Sequence, residues 1–367
     1  MHVALVHDWL NQLGGAEDVL SVLKEMFPSA PVFTSIYDRA RMPAEWQRWD
    51  IRSTWLDRLP GIHRHHQPYM PLFAWVWAHY RIPAEHDLIL SNKSAFCIGA
   101  RGQHPQARHV CYCLTPTRFT FEFSVYARRE RIPRIAFPIL FALNAYLTRW
   151  EQRAAARVHT FVAISRAVQA RIQRWYRRDS VLIHPPVPMP PWDAAQIEDG
   201  GYYLIVSRLL PYKRIDLAIE AFGRLRRPLL IAGDGRDRAR LERLAAQQQG
   251  SSVRLLGRVS EQALHDLLRR CRAFVFPGAE DFGIAPVRAM AYGKPVIAFA
   301  EGGALDTVTE GVSGTLFPHQ TPEALADAVL RCDRVGFEPA EIRRHAEQFS
   351  PERFKRQLMA VLLGEHR

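Results

Sequence analysis

The chain has 367 residues, of which 48% are hydrophobic and 23% are charged, a composition typical of a globular protein that buries sizeable cores. A single core usually stops growing before this length, so we expect two domains. Lys and Arg outnumber Asp and Glu by 49 to 37, a net charge of +12, which suits nucleic acid, a phosphorylated ligand or an anionic membrane surface, or is simply a basic solvated face.

The first residues, MHVALVHDWL, contain no basic region, which predicts a buried strand rather than a signal peptide. No apolar run reaches the roughly 20 residues that a spanning helix requires, so we expect a soluble or peripheral protein. The five cysteines form no C-x-x-C pair and are predicted to be buried reduced thiols rather than metal or redox groups. That prediction favours the cytoplasm, or a peripheral position on the inner face of the cell membrane.

The opening of the chain predicts a strand, a glycine loop and a helix. Val3 to Val6 is a short apolar strand, Gly14-Gly15 follows, and Asp18 to Phe27 has apolar residues at helical spacing. This order begins a doubly wound sheet. The glycine pair either lets the backbone approach a ligand or is a plain turn.

Two further strands of this half, Leu88 to Leu90 and His109 to Leu114, are predicted to end in the polar loops 91–94 and 115–118. Open α/β sheets place ligands where strands end. The candidate ligand residues in these loops are Asn92, Lys93, Thr115 and Arg118.

Three other segments of the first half allow two interpretations each. The histidines at 63, 65 and 66 lie in a solvated or phosphate-attracting loop rather than at a metal, because no partners at suitable spacing are evident. The aromatic stretch 69–80 is either core or an acceptor-side surface. Residues 128–150 join a basic head to the apolar stretch Ile135 to Leu147, which is either a helix lying on an anionic membrane or an ordinary packed helix.

A proline-rich and acidic stretch after residue 184 is the best linker in the chain, and the strand–helix pattern restarts after it. Strands are predicted at 202–207, 229–233, 253–257, 274–276 and 295–299, with a final one in 311–317. Helices are predicted over Ile215–Leu225, Arg238–Gln248, Glu261–Cys271 with Ser260 as N-cap, near Pro286, and over Pro351–Leu363. This alternation predicts a parallel sheet covered by helices.

Several loops of the second half are equipped for a phosphate-bearing ligand. Arg208 and Lys213 lie five residues apart and can neutralise a diphosphate, or are surface charges. Glu280 offers acceptors for sugar hydroxyls, or is an acid favoured at a helix entry. Glycines at 233, 302 and 303 allow close backbone approach, or are plain turns. Because all these loops follow strands of one parallel sheet, they are expected to meet at one edge.

Four segments together resemble the family-4 glycosyltransferases of the GT-B fold: HDWLNQLGGAED, SRLLPYKRIDLAIEAF, IAGDG and EDFGIAPVRAMAYGKPVIAFAEGG. The likeness covers nearly the whole chain and is most similar to bacterial cell-surface polysaccharide mannosyl- or rhamnosyl-type transferases. It implies an α/β protein of two Rossmann-like domains whose parallel sheets face each other across a cleft. Residues 1–188 would bind the acceptor, 189–348 the nucleotide sugar, and the helix in 349–367 would cross back to the first domain.

The resemblance also implies a reaction. It is a retaining hexosyl transfer, with no metal or other cofactor required, from a nucleotide sugar to a lipid-linked or polysaccharide acceptor in cell-surface glycan synthesis, with GDP-mannose as the leading donor. An anionic membrane surface is a further partner only under the first of the two interpretations of residues 128–150. A non-catalytic nucleotide-sugar-binding or scaffold protein is the alternative, whereas nucleic-acid binding has no recognition-helix, RRM or zinc signature in its favour.

Carried over by motif, Arg208, Lys213 and Glu280 are the implied catalytic residues: the two cations hold the leaving diphosphate and the carboxylate contacts the sugar. Gly14 and Gly15 approach the phosphates, and Asn92, Lys93, Thr115 and Arg118 are the acceptor candidates. The remaining donor-binding candidates are Gly233, Arg258, Val259, Asp281, Phe282, Gly283, Ile284, Arg288, Gly302 and Gly303.

Arg288 departs from the family motif, in which a second glutamate follows the first after seven residues and accepts ribose hydroxyls. Arginine has five donors and no acceptor, so it cannot do that work. Three interpretations stay open. Another group binds the ribose while Arg288 contacts phosphate, the substitution weakens donor binding, or transferase activity has been lost.

Overall fold

The computed structural model describes residues 1–123, 137–193, 197–248, 250 and 252–365. The chain divides into two compact units, Met1–His184 with Lys355–Arg367, and Pro185–Phe354. Within the first unit, Lys355 pairs with Glu25 at 2.7 Å and the guanidinium of Arg108 donates to the carbonyl of Leu362. The acceptor-binding and donor-binding roles of the two domains stay predictions.

The first unit is built on a parallel sheet. Its strands are β1 (Val3–His7), β2 (Val32–Thr34), β3 (Ile51–Ser53), β4 (Arg81–Ile82), β5 (Leu88–Lys93), β6 (Arg101–Gly102), β7 (Arg108–Cys113), β8 (Thr160–Ala163) and β9 (Ser180–Leu182). Seven of them pair in the order β3-β2-β1-β5-β7-β8-β9, and β4 pairs with β6 separately. The order reverses direction beside β1, so the predicted doubly wound sheet is confirmed.

Strand β5 is longer than the sequence predicts. We expected a strand that ended at Leu90 and a polar turn after it, but Ser91, Asn92 and Lys93 continue the strand beside β7. All three are fully buried. The prediction failed because polar side chains can remain in a core when buried partners satisfy them, as the hydroxyl of Ser91 is by the ring of His109 at 2.8 Å.

The helices of the first unit are α1 (Gly15–Met26), α2 (Met70–His79), α3 (Arg118–Phe121), α4 (Phe137–Ala155) and α5 (Arg166–Tyr176). The stretch 69–80 contributes to the core through Phe73 and Trp77 of α2, which are fully buried, while Trp75 of the same helix is 48% exposed. The basic residues at 128–134, which belong to the segment with either a membrane-bound or a packed helix as its interpretation, are outside the described residues. None of the helices in the described ranges is long and apolar enough to cross a membrane.

The second unit contains β10 (Tyr203–Val206), β11 (Leu229–Ala232), β12 (Val253–Gly257), β13 (Ala273–Phe276), β14 (Val296–Phe299) and β15 (Gly314–Phe317). They pair in parallel in the order β12-β11-β10-β13-β14-β15. The helices are α6 (Ile215–Leu225), α7 (Arg238–Gln247), α8 (Glu261–Arg270), α9 (Ile284–Ala291), α10 (Ala304–Thr307), α11 (Pro322–Arg334), α12 (Pro339–Ala346) and α13 (Pro351–Leu363), the last of which extends into the residues assigned to the first unit. The predicted parallel α/β arrangement is confirmed.

The structure confirms several predictions that rested on single residues. Ser260 caps α8, because its hydroxyl accepts from the amide of Ala263 at 3.2 Å. Helix α9 begins at Ile284, two residues before the predicted start, so Pro286 lies in its first turn. All five cysteines are buried free thiols, as predicted, and burial raises the pKa of the Cys271 thiol to about 12.

Candidate functional site

The loops at the carboxyl edge of the second sheet are in direct contact, as the sequence predicts. The loop after β11 packs against the loop after β10 at Gly233, where a Cβ would lie 1.9 Å from the carbonyl oxygen of Ser207. Gly233 also has a φ of 135°, a conformation that other residues rarely adopt. Glycine is therefore needed at this position for the two loops to meet.

A second contact joins the loops after β13 and β14. Residues Glu280 and Gly302 form a parallel bridge, and the amide of Gly303 donates to the carbonyl of Glu280 at 2.8 Å. A Cβ on Gly303 would lie 2.2 Å from the Cα of Phe282. The backbone carrying the Glu280 carboxylate is thus held by the loop after β14.

Lys213 and Glu280, predicted from separate motifs, meet at this edge. The ammonium of Lys213 forms an ion pair with Oε1 of Glu280. Both residues line a small pocket between β10 and β13, together with Ser207, Val275 and Gly278. Only 11% of the lysine side chain and 25% of the glutamate side chain are exposed, so the pair is partly shielded from water and its electrostatic interaction is stronger than at an open surface.

Arg208 lies on the exposed side of the same loop. Its guanidinium approaches the hydroxyl of Tyr212 at 3.5 Å, and the ammonium of Lys213 lies 5.2 Å from the ring of that tyrosine. Tyr212 therefore lies between the two predicted diphosphate ligands, a contact that spacing alone did not indicate.

The other loop residues have mixed surroundings. The ring of Phe282 is buried and meets Phe349 edge-on at 5.6 Å, so its side chain belongs to the core. Gly283 takes a φ of 94° at the start of α9, and Asp281 and Ile284 flank the buried pair formed by Phe282 and Gly283. The donor roles of these residues stay predictions.

Two predicted donor-binding residues, Arg258 and Val259, directly follow β12. The guanidinium of Arg258 is 3.9 Å from Asp234, with its side chain 87% exposed. Val259 is half-buried. An exposed charge and an apolar side chain at the sheet edge are compatible with a base stacked on the surface, and that role stays a prediction.

Arg288 forms an ion pair with a residue that the sequence analysis did not single out. Its Nη2 lies 2.9 Å from Oε2 of Glu261, the first residue of α8. The Glu261 side chain is 73% exposed and that of Arg288 27%. A carboxylate therefore lies beside position 288 after all, but on the neighbouring helix, 27 residues away in sequence.

In the first unit, Gly14 and Gly15 lie at the N-terminus of α1, which begins at Gly15. The ring of His7 lies between two groups, with Nε2 3.3 Å from Oε1 of Glu17 and Nδ1 3.3 Å from the amide of Asn92. The same amide donates to the carbonyl of Ala16 at 2.7 Å. Asn92 thus holds the first turn of α1 close to β5.

Lys93 has buried protein partners. Its ammonium donates to the carbonyl of Thr115, to the hydroxyl of Thr117 and to Oε1 of Glu151, the last at 2.8 Å. Lys93 and Glu151 are fully buried. These partners occupy its donors, so this structure presents no Lys93 surface to an acceptor. Arg118 is exposed and pairs with Glu122 at 3.4 Å.

Asp8 is a structural residue that the sequence analysis missed. Its carboxylate accepts from the backbone amides of residues 94–97 at 2.6–2.7 Å, and from the hydroxyl of Ser94 at 3.0 Å. Charge-assisted bonds of this kind are strong. The loop after β5 is therefore fixed to the end of β1. A polar residue directly after the first strand was the available signal.

The histidine loop shows no metal site. Nε2 of His63 lies 3.2 Å from the carbonyl of Asp57, and Nδ1 of His66 lies 3.1 Å from the amide of Asn11. Across the parts of the chain that the structure describes, no group of three His, Cys, Asp or Glu side chains could hold a metal ion.

Comparison with known proteins gives a family match over the second unit. Residues 192–335 match the family Glycosyl transferases group 1. HepE from Anabaena, in complex with UDP, superposes over 99% of this chain and 100% of its own, with a TM-score of 0.74 and 17% identity. The fold is GT-B. The lipopolysaccharide outer core galactosyltransferase WaaB is a similar structure, with a TM-score of 0.66 and 17% identity over 100% of both chains.

Two curated relatives align with part of the chain. An uncharacterized glycosyltransferase from Methanocaldococcus jannaschii is 32% identical over 133 residues, which is 36% of this chain and 38% of the relative. The O-antigen chain mannosyltransferase C of Escherichia coli is 29% identical over 133 residues, 35% of this chain and 36% of the relative. The alignments thus cover under two fifths of these relatives, and the match to the family Glycosyl transferases group 1 is limited to residues 192–335.

Proposed function

We propose that the protein is a retaining glycosyltransferase that moves a hexose from a nucleotide sugar to a lipid-linked or polysaccharide acceptor in cell-surface glycan synthesis. The observation that carries this proposal is the Lys213–Glu280 ion pair at the carboxyl edge of the second sheet, with Arg208 on the same loop. Two cations and a carboxylate at one sheet edge match the charges of a diphosphate and the hydroxyls of a sugar.

In the proposed reaction, the bond between the anomeric carbon and the diphosphate oxygen breaks while the acceptor oxygen forms a new bond to that carbon, and the proton of the acceptor hydroxyl passes to the departing diphosphate. Negative charge develops on the leaving diphosphate. Lys213 and Arg208 stabilise that charge, which is the main electrostatic contribution available here, and no metal ion is required. One carboxylate oxygen of Glu280 pairs with Lys213. The other oxygen accepts hydrogen bonds from the sugar hydroxyls.

The donor and acceptor are proposed from the relatives' names. The E. coli relative is an O-antigen chain mannosyltransferase, and a Pseudomonas aeruginosa relative, 29% identical over 150 residues, is a D-rhamnosyltransferase. They support mannose from GDP-mannose and a cell-surface glycan acceptor. HepE was crystallised with UDP and with UDP-glucose, which makes UDP-glucose the principal competitor.

A thermal-shift screen over GDP-, UDP-, ADP- and dTDP-sugars tests donor binding, because a ligand that binds the folded state stabilises it by mass action. We expect GDP-mannose to give the largest shift. Lys213→Ala should weaken binding by at least about tenfold, since it removes a charge-assisted bond. Arg344→Ala, which removes an exposed arginine of α12, is the matched control. No shift with any nucleotide sugar would refute the proposal.

A non-catalytic nucleotide-sugar-binding or scaffold protein is the second candidate, and it is favoured by the arginine at position 288. Release of free sugar or transfer to an added acceptor separates the two candidates. A protein that binds the donor tightly, yet neither hydrolyses nor transfers it over hours, is the second candidate.

A further inference from the structure

The net positive charge of the protein belongs to one of its two units. The unit Met1–His184 with Lys355–Arg367 contains 27 Lys and Arg against 15 Asp and Glu, whereas Pro185–Phe354 contains 22 of each. The whole excess of +12 therefore belongs to the first unit. Residues 101–184 alone contain 15 basic and 4 acidic residues.

Helix α4, in the middle of that basic segment, exposes apolar side chains. Ile139 is 75% exposed, Phe141 64% and Tyr146 53%. The opposite side of the helix packs into the core of the unit, where Leu147 is buried and Leu143 is partly buried. Ile139 and Tyr146 share one exposed stripe with Ala142, because they are three or four residues apart.

The charged residues of α4 extend this stripe with a single sign. Arg149 and Arg153 continue the same three- and four-residue spacing and are exposed. The one acid of the helix, Glu151, faces the interior and pairs with Lys93. Neither arginine has an ion-pair partner among the residues that the structure describes.

Arg157 lies two residues beyond the end of α4, and Arg81 pairs with Arg101 across strands β4 and β6. Burial and the nearby charges of Arg101 and Arg81 lower the pKa of Arg157 to about 10. Three like charges close together are unfavourable unless an anion is present to offset them. The surface therefore changes along α4 from apolar at its start to strongly basic at its end.

Charge decides between the occupants that could cover this surface. A second copy of this chain would bring two positive units together, which is unfavourable. Arginine combined with apolar and aromatic side chains on one helix face is the pattern of helices that lie in an anionic membrane interface. Such helices insert their apolar side by about 5–10 Å while their cations meet lipid phosphates.

We propose that the exposed face of α4, formed by Ile139, Phe141, Tyr146, Arg149 and Arg153, docks the first unit on an anionic lipid bilayer. The surface brings the protein to lipid-linked acceptors, so the inference deepens the proposed function. Membrane docking can nevertheless be measured without donor or acceptor. Its failure would leave transferase activity in place, and loss of activity would leave docking in place.

The test is co-sedimentation of the full chain with vesicles of phosphatidylcholine alone or with about 30 mol% phosphatidylglycerol. The lipid concentration is varied widely enough to resolve a change of about tenfold in the affinity of the protein for the vesicles. We expect binding to the anionic vesicles only, weakened by added salt. Ile139→Glu with Phe141→Glu should reduce binding by at least about tenfold. Arg149→Gln with Arg153→Gln should reduce it by about fivefold for each arginine removed.

Leu305→Glu is the matched control, because Leu305 is 54% exposed but belongs to the neutral unit. It should bind vesicles like the unchanged protein, and thermal melting should show that all variants are folded. Equal binding to neutral and anionic vesicles, no binding to either, or unchanged binding of the α4 variants would each overturn the proposal. A concentration-dependent dimer abolished by Ile139→Glu would overturn it in favour of a second copy as the occupant.

Discussion

Replacing Arg288 by glutamate should strengthen nucleotide binding. The full gain in affinity should require that Glu261 is changed as well. The resemblance to family-4 glycosyltransferases implies a carboxylate at position 288 that accepts ribose hydroxyls. In the structure, Glu261 lies 2.9 Å from the arginine that occupies this position. Arg288→Glu alone would set two carboxylates side by side, whereas the double change Arg288→Glu with Glu261→Gln avoids that repulsion.

The exposure and spacing of Arg288 and Glu261 allow the change in binding free energy to be estimated. The Arg288–Glu261 pair is partly exposed, so its loss costs at most about 1 kcal/mol. Two like charges about 4 Å apart repel by about 1 kcal/mol in a water-like medium. A hydrogen bond from a ribose hydroxyl to a carboxylate contributes about 1.5 kcal/mol or more. We therefore expect the double variant to bind about tenfold more tightly than the unchanged protein, and Arg288→Glu alone to lie between them.

Calorimetric titration with a nucleoside diphosphate and its 2′,3′-dideoxy analogue measures this effect. The gain in affinity should disappear with the dideoxy analogue, because that compound lacks the hydroxyls. Glu261→Gln alone serves as the control and should change affinity by less than about threefold, since it only removes an exposed partner. Equal or weaker binding by the double variant, or an equal gain with the dideoxy analogue, would refute the reasoning.

Two further predictions concern the buried polar groups of the first unit. Glu151→Gln should lower the free energy of unfolding, measured by urea titration, by about 3–5 kcal/mol, because it leaves the Lys93 ammonium buried without its counter-charge. Adding Lys93→Met should recover part of this loss. A double variant that loses the sum of the two single losses would contradict the prediction. Burial lowers the pKa of His109 to about 3, so below pH 6.5 the unfolded chain binds a proton that the folded chain does not. Stability should then fall as the pH drops from 6.5 toward 3, by about 2 kcal/mol between pH 7 and pH 5, and urea titrations of His109→Gln should show a smaller fall if this histidine is the cause.

The alternation of strands and helices could be predicted because each element carries its own signal. Central strands such as Val3–His7 and Ala273–Phe276 are short apolar runs buried on both sides, and helices such as Ile215–Leu225 keep the spacing of an amphipathic helix. Most bounds lie within one or two residues of the predicted ones, although α1 begins at Gly15, three residues before the predicted Asp18. The end of β5 could not be predicted in this way, because Lys93 is buried only by virtue of Glu151, 58 residues later. Such partners depend on tertiary structure and leave no local pattern.

The candidate site could likewise be predicted only in part. The sequence places Arg208, Lys213 and Glu280 after strands of one parallel sheet, and sheet topology alone then gathers their loops at one edge. The ion pair between Lys213 and Glu280 confirms that gathering. The pairing of Arg288 with Glu261 was not foreseen, because it requires the register of two neighbouring helices, which no spacing in the sequence reports.

The two units differ in net charge, and we propose that they bind anionic partners in different ways. The second unit binds the nucleotide sugar and the first unit docks on the bilayer. The unit proposed to bind a doubly charged donor is neutral overall, so its affinity for phosphate depends on a few cations at short range, such as Lys213. Charges separated by more than about 8 Å are largely screened at physiological salt, so only cations close to the phosphates contribute to such a site. The surplus of positive charge in the first unit is proposed instead to act on an extended partner, the anionic bilayer. Raising the salt concentration should therefore weaken vesicle binding far more than it weakens binding of the nucleotide sugar.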